Sequence, residues 1–294
     1  MALPPIHKEK CTIKLRPEAP SRKGGLATIK DFTVVRDTYA VKYGAFAQEY
    51  EGYALIFAEK YLNIPAPRLY AMCREPIMGN LYLVMEHIRG VSLESVWGTL
   101  ATEAKLSIAT QLKTIFDSMR ALSPPPAYVG SISGGDTYGP VFFTMQPNAD
   151  IDGPFETTDA FSRAMALASQ GFWSSHGKQN WTSEFFSRHL ATALKGHTVK
   201  YSHGDLCMQN VIVEQAKDEL DYPAQTNGAT TWKVKGIVGW KAAGWYPAYW
   251  EYATAMARGH SEIDWPETID TVLTPFPMEF AMIHLLYRNM RLVN

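Results

Sequence analysis

The sequence predicts an α+β protein in two lobes, a small strand-rich one followed by a larger, mainly helical one. Three observations carry this. The first third alternates β-branched and aromatic segments around a single amphipathic helix. Beyond Gly90 the 3.6-residue apolar period takes over. With 294 residues, 46% of them hydrophobic, the chain can bury the sizeable core that two lobes need. The boundary is expected after His87, giving a strand-rich lobe over 1–87 and a helical lobe over 88–294.

The elements follow in order. Thr33–Val35 and Thr38–Tyr43 read as a hairpin turned at Arg36 and Asp37, and the alternation of Tyr39, Val41 and Tyr43 puts Lys42 on the opposite face. Tyr50, Tyr53, Ala54, Phe57, Ala58 and Tyr61 keep helical spacing until Pro65 and Pro67 end the run. Asn80–Ile88 is a further strand, closed by a turn at Arg89 and Gly90. Ile108, Ala109, Leu112, Ile115, Phe116 and Met119 mark a second strong helix, with Thr102 as its expected N-cap. Residues 128–153, rich in Gly, Ser, Pro and Asp, read as a long ordered loop. Helices are expected around 158–168 and 183–195, and again over 249–258 and 277–291. Between them Asn210–Glu214 and Trp232–Val238 form a strand pair joined by a polar excursion over 215–231.

Composition excludes several classes of function. A formal net charge of −1 provides no basic footprint for nucleic acid. Three scattered cysteines, Cys11, Cys73 and Cys207, make neither a disulfide framework nor a zinc site. No apolar run has bilayer-spanning length and the first residues lack a secretory pattern, so a cytoplasmic setting without membrane is the expectation. There is no GxGxxG and no Walker A segment.

Chemistry concentrates in two segments, 201–214 and 236–252. The first contains HGDLCMQN running into the strand NVIVE; the second reads GIVGWKAAGWYPAYWEY. HGDLCMQN resembles the H-G-D-L-x-x-x-N catalytic loop of the aminoglycoside phosphotransferase and choline kinase families. The second segment is similar to that family's D-W-E-x-A-G-W-Y-P-x-Y-W-E-Y. LVMEHIRGVSL resembles the interlobe linker, and EGYALIFAEKYLNIPAPRLY a helix and strand of the small lobe. The resemblance runs from about Thr33 to Met256, in order, and implies a bilobal protein-kinase-like fold with a nucleotide cleft.

It also implies roles. Asp205 stands at the position that accepts a substrate hydroxyl proton, and Asn210 at the one that offers an oxygen to Mg²⁺. Lys42 stands where a lysine neutralises nucleotide phosphates, with Glu51, or else Glu49, as its ion-pair partner. Met85, Glu86 and His87 stand at the hinge whose backbone holds an adenine, and His203 at a residue that braces the loop. The aromatic run Trp240, Trp245, Tyr246, Tyr249 and Trp250 reads as packing more than as a ligand platform, and Cys207 as an inert thiol.

One departure matters most. Where the family has its metal-binding Asp this chain has Gly239, and where it has the following Glu this chain has Lys241. Mg²⁺ needs oxygen ligands with carboxylate charge, so no metal is expected. Three readings remain. The first is a repurposed, metal-independent enzyme on a small molecule of natural-product type, belonging to specialised metabolism, with Asp205 as acid/base and Lys241 either paired to it or holding an anionic group. The second is an ATP-dependent O-phosphotransferase with an atypical metal arrangement that recruits an acid such as Glu251. The third is a non-catalytic pseudokinase that binds a ligand or partner.

Overall fold

The computed structural model describes residues 32–44, 47–142, 147–216, 231–258 and 264–292. Strands β1 (Phe32–Val35) and β2 (Tyr39–Tyr43) form the expected hairpin, with Arg36 and Asp37 both at positive φ in its turn. Helix α1 (Glu49–Tyr61) follows, then β3 (Leu69–Arg74) and β4 (Leu81–Glu86). The four strands make one antiparallel sheet in the order β1-β2-β4-β3. Gly52 lets α1 lie close on this sheet, since a Cβ there would meet Met72 Sδ at 2.6 Å.

The remainder is mainly helical. The short β5 (Val91–Ser92) and α2 (Leu93–Val96) lead into the long α3 (Thr102–Arg120). Thr102 is the first helical residue; the N-cap is Ala101, and no side chain caps it. The segment read as a loop carries β6 (Gly130–Ser131) and α4 (Ala149–Asp152). Helices α5 (Thr158–Ser175) and α6 (Trp181–Ala193) are capped by the side chains of Thr157 and Asn180, which accept from Ala160 N and Ser183 N. Next come β7 (Val199–Ser202), β8 (Val211–Gln215), β9 (Trp232–Ile237) and β10 (Gly244–Pro247). Three helices close the described chain, α7 (Trp250–Ala257), α8 (Asp264–Val272) and α9 (Pro277–Asn289). Most of the polar excursion, residues 217–230, lies outside the described residues, as does Cys11. The architecture is α+β, an antiparallel-sheet part followed by a mainly helical part.

Two apolar cores hold it. One runs from the sheet and α1 (Leu55, Leu83) through α3 (Ile108, Phe116) to Tyr201 and Trp245. Phe57 of α1 is the joint, its ring 4.9 Å from that of Tyr201 and 6.2 Å from that of Trp245. The second core gathers α5, α6, α7 and α9 around Phe161, Phe186 and Trp250. The aromatic run is packing: Trp240, Trp245, Tyr246, Tyr249 and Trp250 are all buried.

Candidate active site

Two loops leave the same pair of small sheets. Strand β10 pairs with β7 and β9 pairs with β8, so the connection from β7 to β8 (203–210) runs beside the connection from β9 to β10 (238–243). Their approach is close enough to require glycine at 204, where φ is +75° and a Cβ would meet Ala242 O at 2.6 Å.

A buried network fixes the first loop. Asp205 N donates to His203 Nδ1 (3.2 Å), so the ring carries its proton on Nε2, which donates to Val238 O (3.0 Å) and ties the two loops together. The ring also packs edge-on against Trp240 at 4.7 Å. Burial pushes the His203 pKa down to about 3, which keeps the imidazole neutral. From α7, Glu251 Oε2 accepts from His203 N (2.6 Å) and Gly204 N (3.1 Å). Burial raises the Glu251 pKa, against the pull of those two amides and of Arg120. Its Oε2 is thus tied to the loop amides, and Glu251 is not among the described residues that line the cavity beside Asp205.

Asp205 itself is buried, and its Oδ1 is ion-paired with the guanidinium of Arg258, the residue that ends α7. Lys241 is not its partner here. The Lys241 ammonium lies over the Tyr138 ring, 5.4 Å from the centroid. Asn210 Nδ2 donates to Asp205 O (2.8 Å). Gly239 adopts the left-handed conformation (φ +82°), and the Asn210 carboxamide fills the space of its missing side chain: a Cβ at 239 would meet Asn210 Oδ1 at 2.7 Å.

In the small lobe, Lys42 Nζ pairs with the buried Glu51 at 2.7 Å, whereas Glu49 pairs with Arg74 at the same distance. The choice left open by the sequence is therefore Glu51. Met85 lies within β4, paired on both sides to Ala40 and Leu69. The Glu86 amide donates to Arg68 O (2.8 Å) and the His87 amide to Thr38 O (2.9 Å), so both are engaged by the protein itself.

A cavity of about 680 Å³ opens onto Asp205. Its wall includes Lys241 and Arg258, Tyr50 from the second residue of α1, Asp136, Thr137 and Tyr138, the buried Asp152, and Trp250. Sequence reading found Asp205 and Lys241 but missed Arg258, Tyr138 and Asp136. A usable signal existed for one of them: Glu251, Thr254 and Arg258 recur at i, i+3 and i+7 on one face of α7.

The donor set does not suit Mg²⁺. Asn210 offers one neutral oxygen, Gly239 none, Lys241 a positive charge, and Asp205 is already paired with a cation. Among the described residues no group of three His, Cys, Asp or Glu side chains is placed to hold a metal ion. Cys207 is a thiol whose pKa burial raises, which makes it unreactive. Among the described residues no helix is long and apolar enough to cross a membrane.

No family model matches the chain, and no curated protein does. Solved structures to which the chain is similar include aminoglycoside phosphotransferases. The GDP complex of aminoglycoside 2'-phosphotransferase-IIIa shares 14% identity at a TM-score of 0.48, over 89% of this chain and 82% of that one. The apo form of a thermostable APH(4)-Ia mutant shares 14% at 0.47, over 86% and 80%. A ternary complex of APH(4)-Ia with ADP and hygromycin B shares 14% at 0.43, and there the match spans 74% of this chain and 63% of that one.

Proposed function

We propose that this chain is a small-molecule enzyme that uses a kinase-like frame for metal-independent proton transfer at Asp205. The observation that supports it best is the contrast within one site: Asn210 occupies the side-chain space at Gly239, while Asp205 still faces a cavity of about 680 Å³.

The roles follow from charge. The Asp205 carboxylate, ion-paired with Arg258, acts as the base. A substrate C–H or O–H delivers its proton to Asp205, and the electron pair left behind forms an enolate- or alkoxide-like oxygen. Lys241, whose ammonium has an aromatic ring but no carboxylate against it among the described contacts, balances that charge. The protonated Asp205 then returns the proton at another atom as a general acid. No electrons are gained or lost overall, which fits cyclisation or isomerisation; in hydrolysis the O–H is that of an attacking water and the proton is returned to the leaving group. Asn210 and His203 position the loop.

The test is product formation in a host lacking its own copy of the gene. The wild-type chain and Lys42→Met restore the missing product, and Asp205→Asn does not. Restoration by Asp205→Asn would overturn the reading.

One observation favours the second reading, an ATP-dependent O-phosphotransferase: the Lys42–Glu51 pair is formed at 2.7 Å, as phosphate binding requires. In that case Lys42→Met fails to restore product in the same experiment.

A further inference from the structure

The cavity beside Asp205 is lined by groups of opposite charge, linked by a chain of aromatic contacts. At one end Lys241 and Arg258, set against the single charge of Asp205, leave one positive charge. At the other stand Asp136 and the buried Asp152, whose Oδ2 accepts from Asn148 N at 2.6 Å. Two aromatic rings separate the ends. Tyr50 lies beside the acids, which together with burial hold its phenol pKa up. Its ring centroid is 5.9 Å from that of Tyr138, and the Tyr138 centroid is 5.4 Å from Lys241 Nζ. Between Asp136 and Tyr138, Thr137 lines the same wall with only 5% of its surface exposed, and its hydroxyl has no hydrogen-bond partner among the described residues. A buried hydroxyl without a partner is costly unless something that enters the cavity supplies one.

We propose that the cavity binds a zwitterion whose charges are set well apart, a small peptide or a long amino acid, with its anionic group at Lys241 and Arg258 and its ammonium group at Asp136. This rests on the cavity being the substrate site of the proposed enzyme, and it names the class of substrate. A molecule with charge only at one end meets the opposite end with nothing to pair, and the unmatched, partly desolvated charge lowers its affinity. An extended tripeptide spans about 10 Å, the order of the successive 5.4 Å and 5.9 Å contacts that lead from Lys241 Nζ over Tyr138 to Tyr50. The rings of Tyr50 and Tyr138 provide apolar walls for the middle of such a molecule.

The test uses glycyl-phenylalanyl-glycine, its N-acetyl form and its C-terminal amide as probes, titrated calorimetrically into the full-length protein. The unblocked tripeptide binds at least about tenfold more tightly than either blocked form. Asp136→Asn removes its advantage over the N-acetyl form and keeps its advantage over the amide; Lys241→Met does the reverse. Both variants lie at the cavity wall, and unchanged melting temperatures verify that they fold. Equal binding of the three probes, variants that shift both preferences together, or no binding of any probe up to about 10 mM would overturn the proposal. Asp205→Asn keeps the preference for the unblocked form, so the acid–base reading stands or falls separately, in the host experiment.

Discussion

The connection from β7 to β8 and the connection from β9 to β10 lie side by side, yet the fold depends on them in different ways. In the first, the chemistry-bearing residue is embedded in a buried network: Asp205 N on His203, His203 N and Gly204 N on Glu251, Asn210 Nδ2 on Asp205 O. In the second, what the fold uses around Gly239 is backbone and neighbours: Val238 N donates to Asn210 O (2.9 Å) and Trp240 Nε1 to Ile237 O (2.7 Å). A side chain at 239 is not needed for any of this. A metal ligand can therefore be absent there at no cost to folding, while the loop that carries Asp205 stays fixed by buried amides that need partners.

That contrast can be broken at either loop. The largest effect belongs to Asp205→Asn, which lowers turnover of the native substrate by about 10²–10⁴-fold, as initial rates would record, and also lowers the melting temperature by leaving the Arg258 guanidinium without its carboxylate. Next comes Glu251→Ala, which strands the His203 and Gly204 amides and costs about 3 kcal/mol in the urea midpoint. Glu251→Gln keeps a carbonyl acceptor and costs less. Gly239→Asp comes third. It places a side chain at positive φ against Asn210, costs about 1–2 kcal/mol, and does not by itself create Mn²⁺ binding detectable by electron spin resonance. The double variant with Asn210→Ala recovers part of that stability.

The smallest effect is on pH dependence. His203 is neutral when buried and takes a proton when unfolded near its ordinary 6.5, so between pH 6.5 and about 3 the unfolded chain binds the extra proton. This contribution to stability is complete above 6.5 and is lost as pH falls through that window. Glu251, with its pKa raised, works in the opposite sense and reduces the net slope. His203→Gln should therefore flatten the decline in melting temperature between pH 7 and pH 4.5. An unchanged slope would mean that the buried ring is not the titrating group.

Legibility in the sequence tracked locality. Asp205 and Asn210 sit in one short loop, and Lys42 and Glu51 are close along the chain, so the family resemblance pointed to each pair from local motifs, with Glu49 left open beside Glu51. The two lobes showed because the apolar period changes from two to 3.6 near Gly90. Arg258, Asp136 and Tyr138 reach the site from α7 and from a segment that reads only as loop, and no local pattern marks Asp136 or Tyr138 as facing Asp205. The engagement of the Glu86 and His87 amides depends on the register of β4 against both neighbours, which turn geometry sets and composition does not. Thr102 missed the N-cap by one residue because Ala101 already has extended backbone there.

The central claim is that the site handles protons without a divalent metal, and calorimetric titration of ATP with and without Mg²⁺ tests it most directly. No metal-dependent binding is expected up to about millimolar concentration, because Gly239, Asn210 and Lys241 offer Mg²⁺ one neutral oxygen and a positive charge. A sub-millimolar isotherm that appears with Mg²⁺ and vanishes with chelator would contradict it.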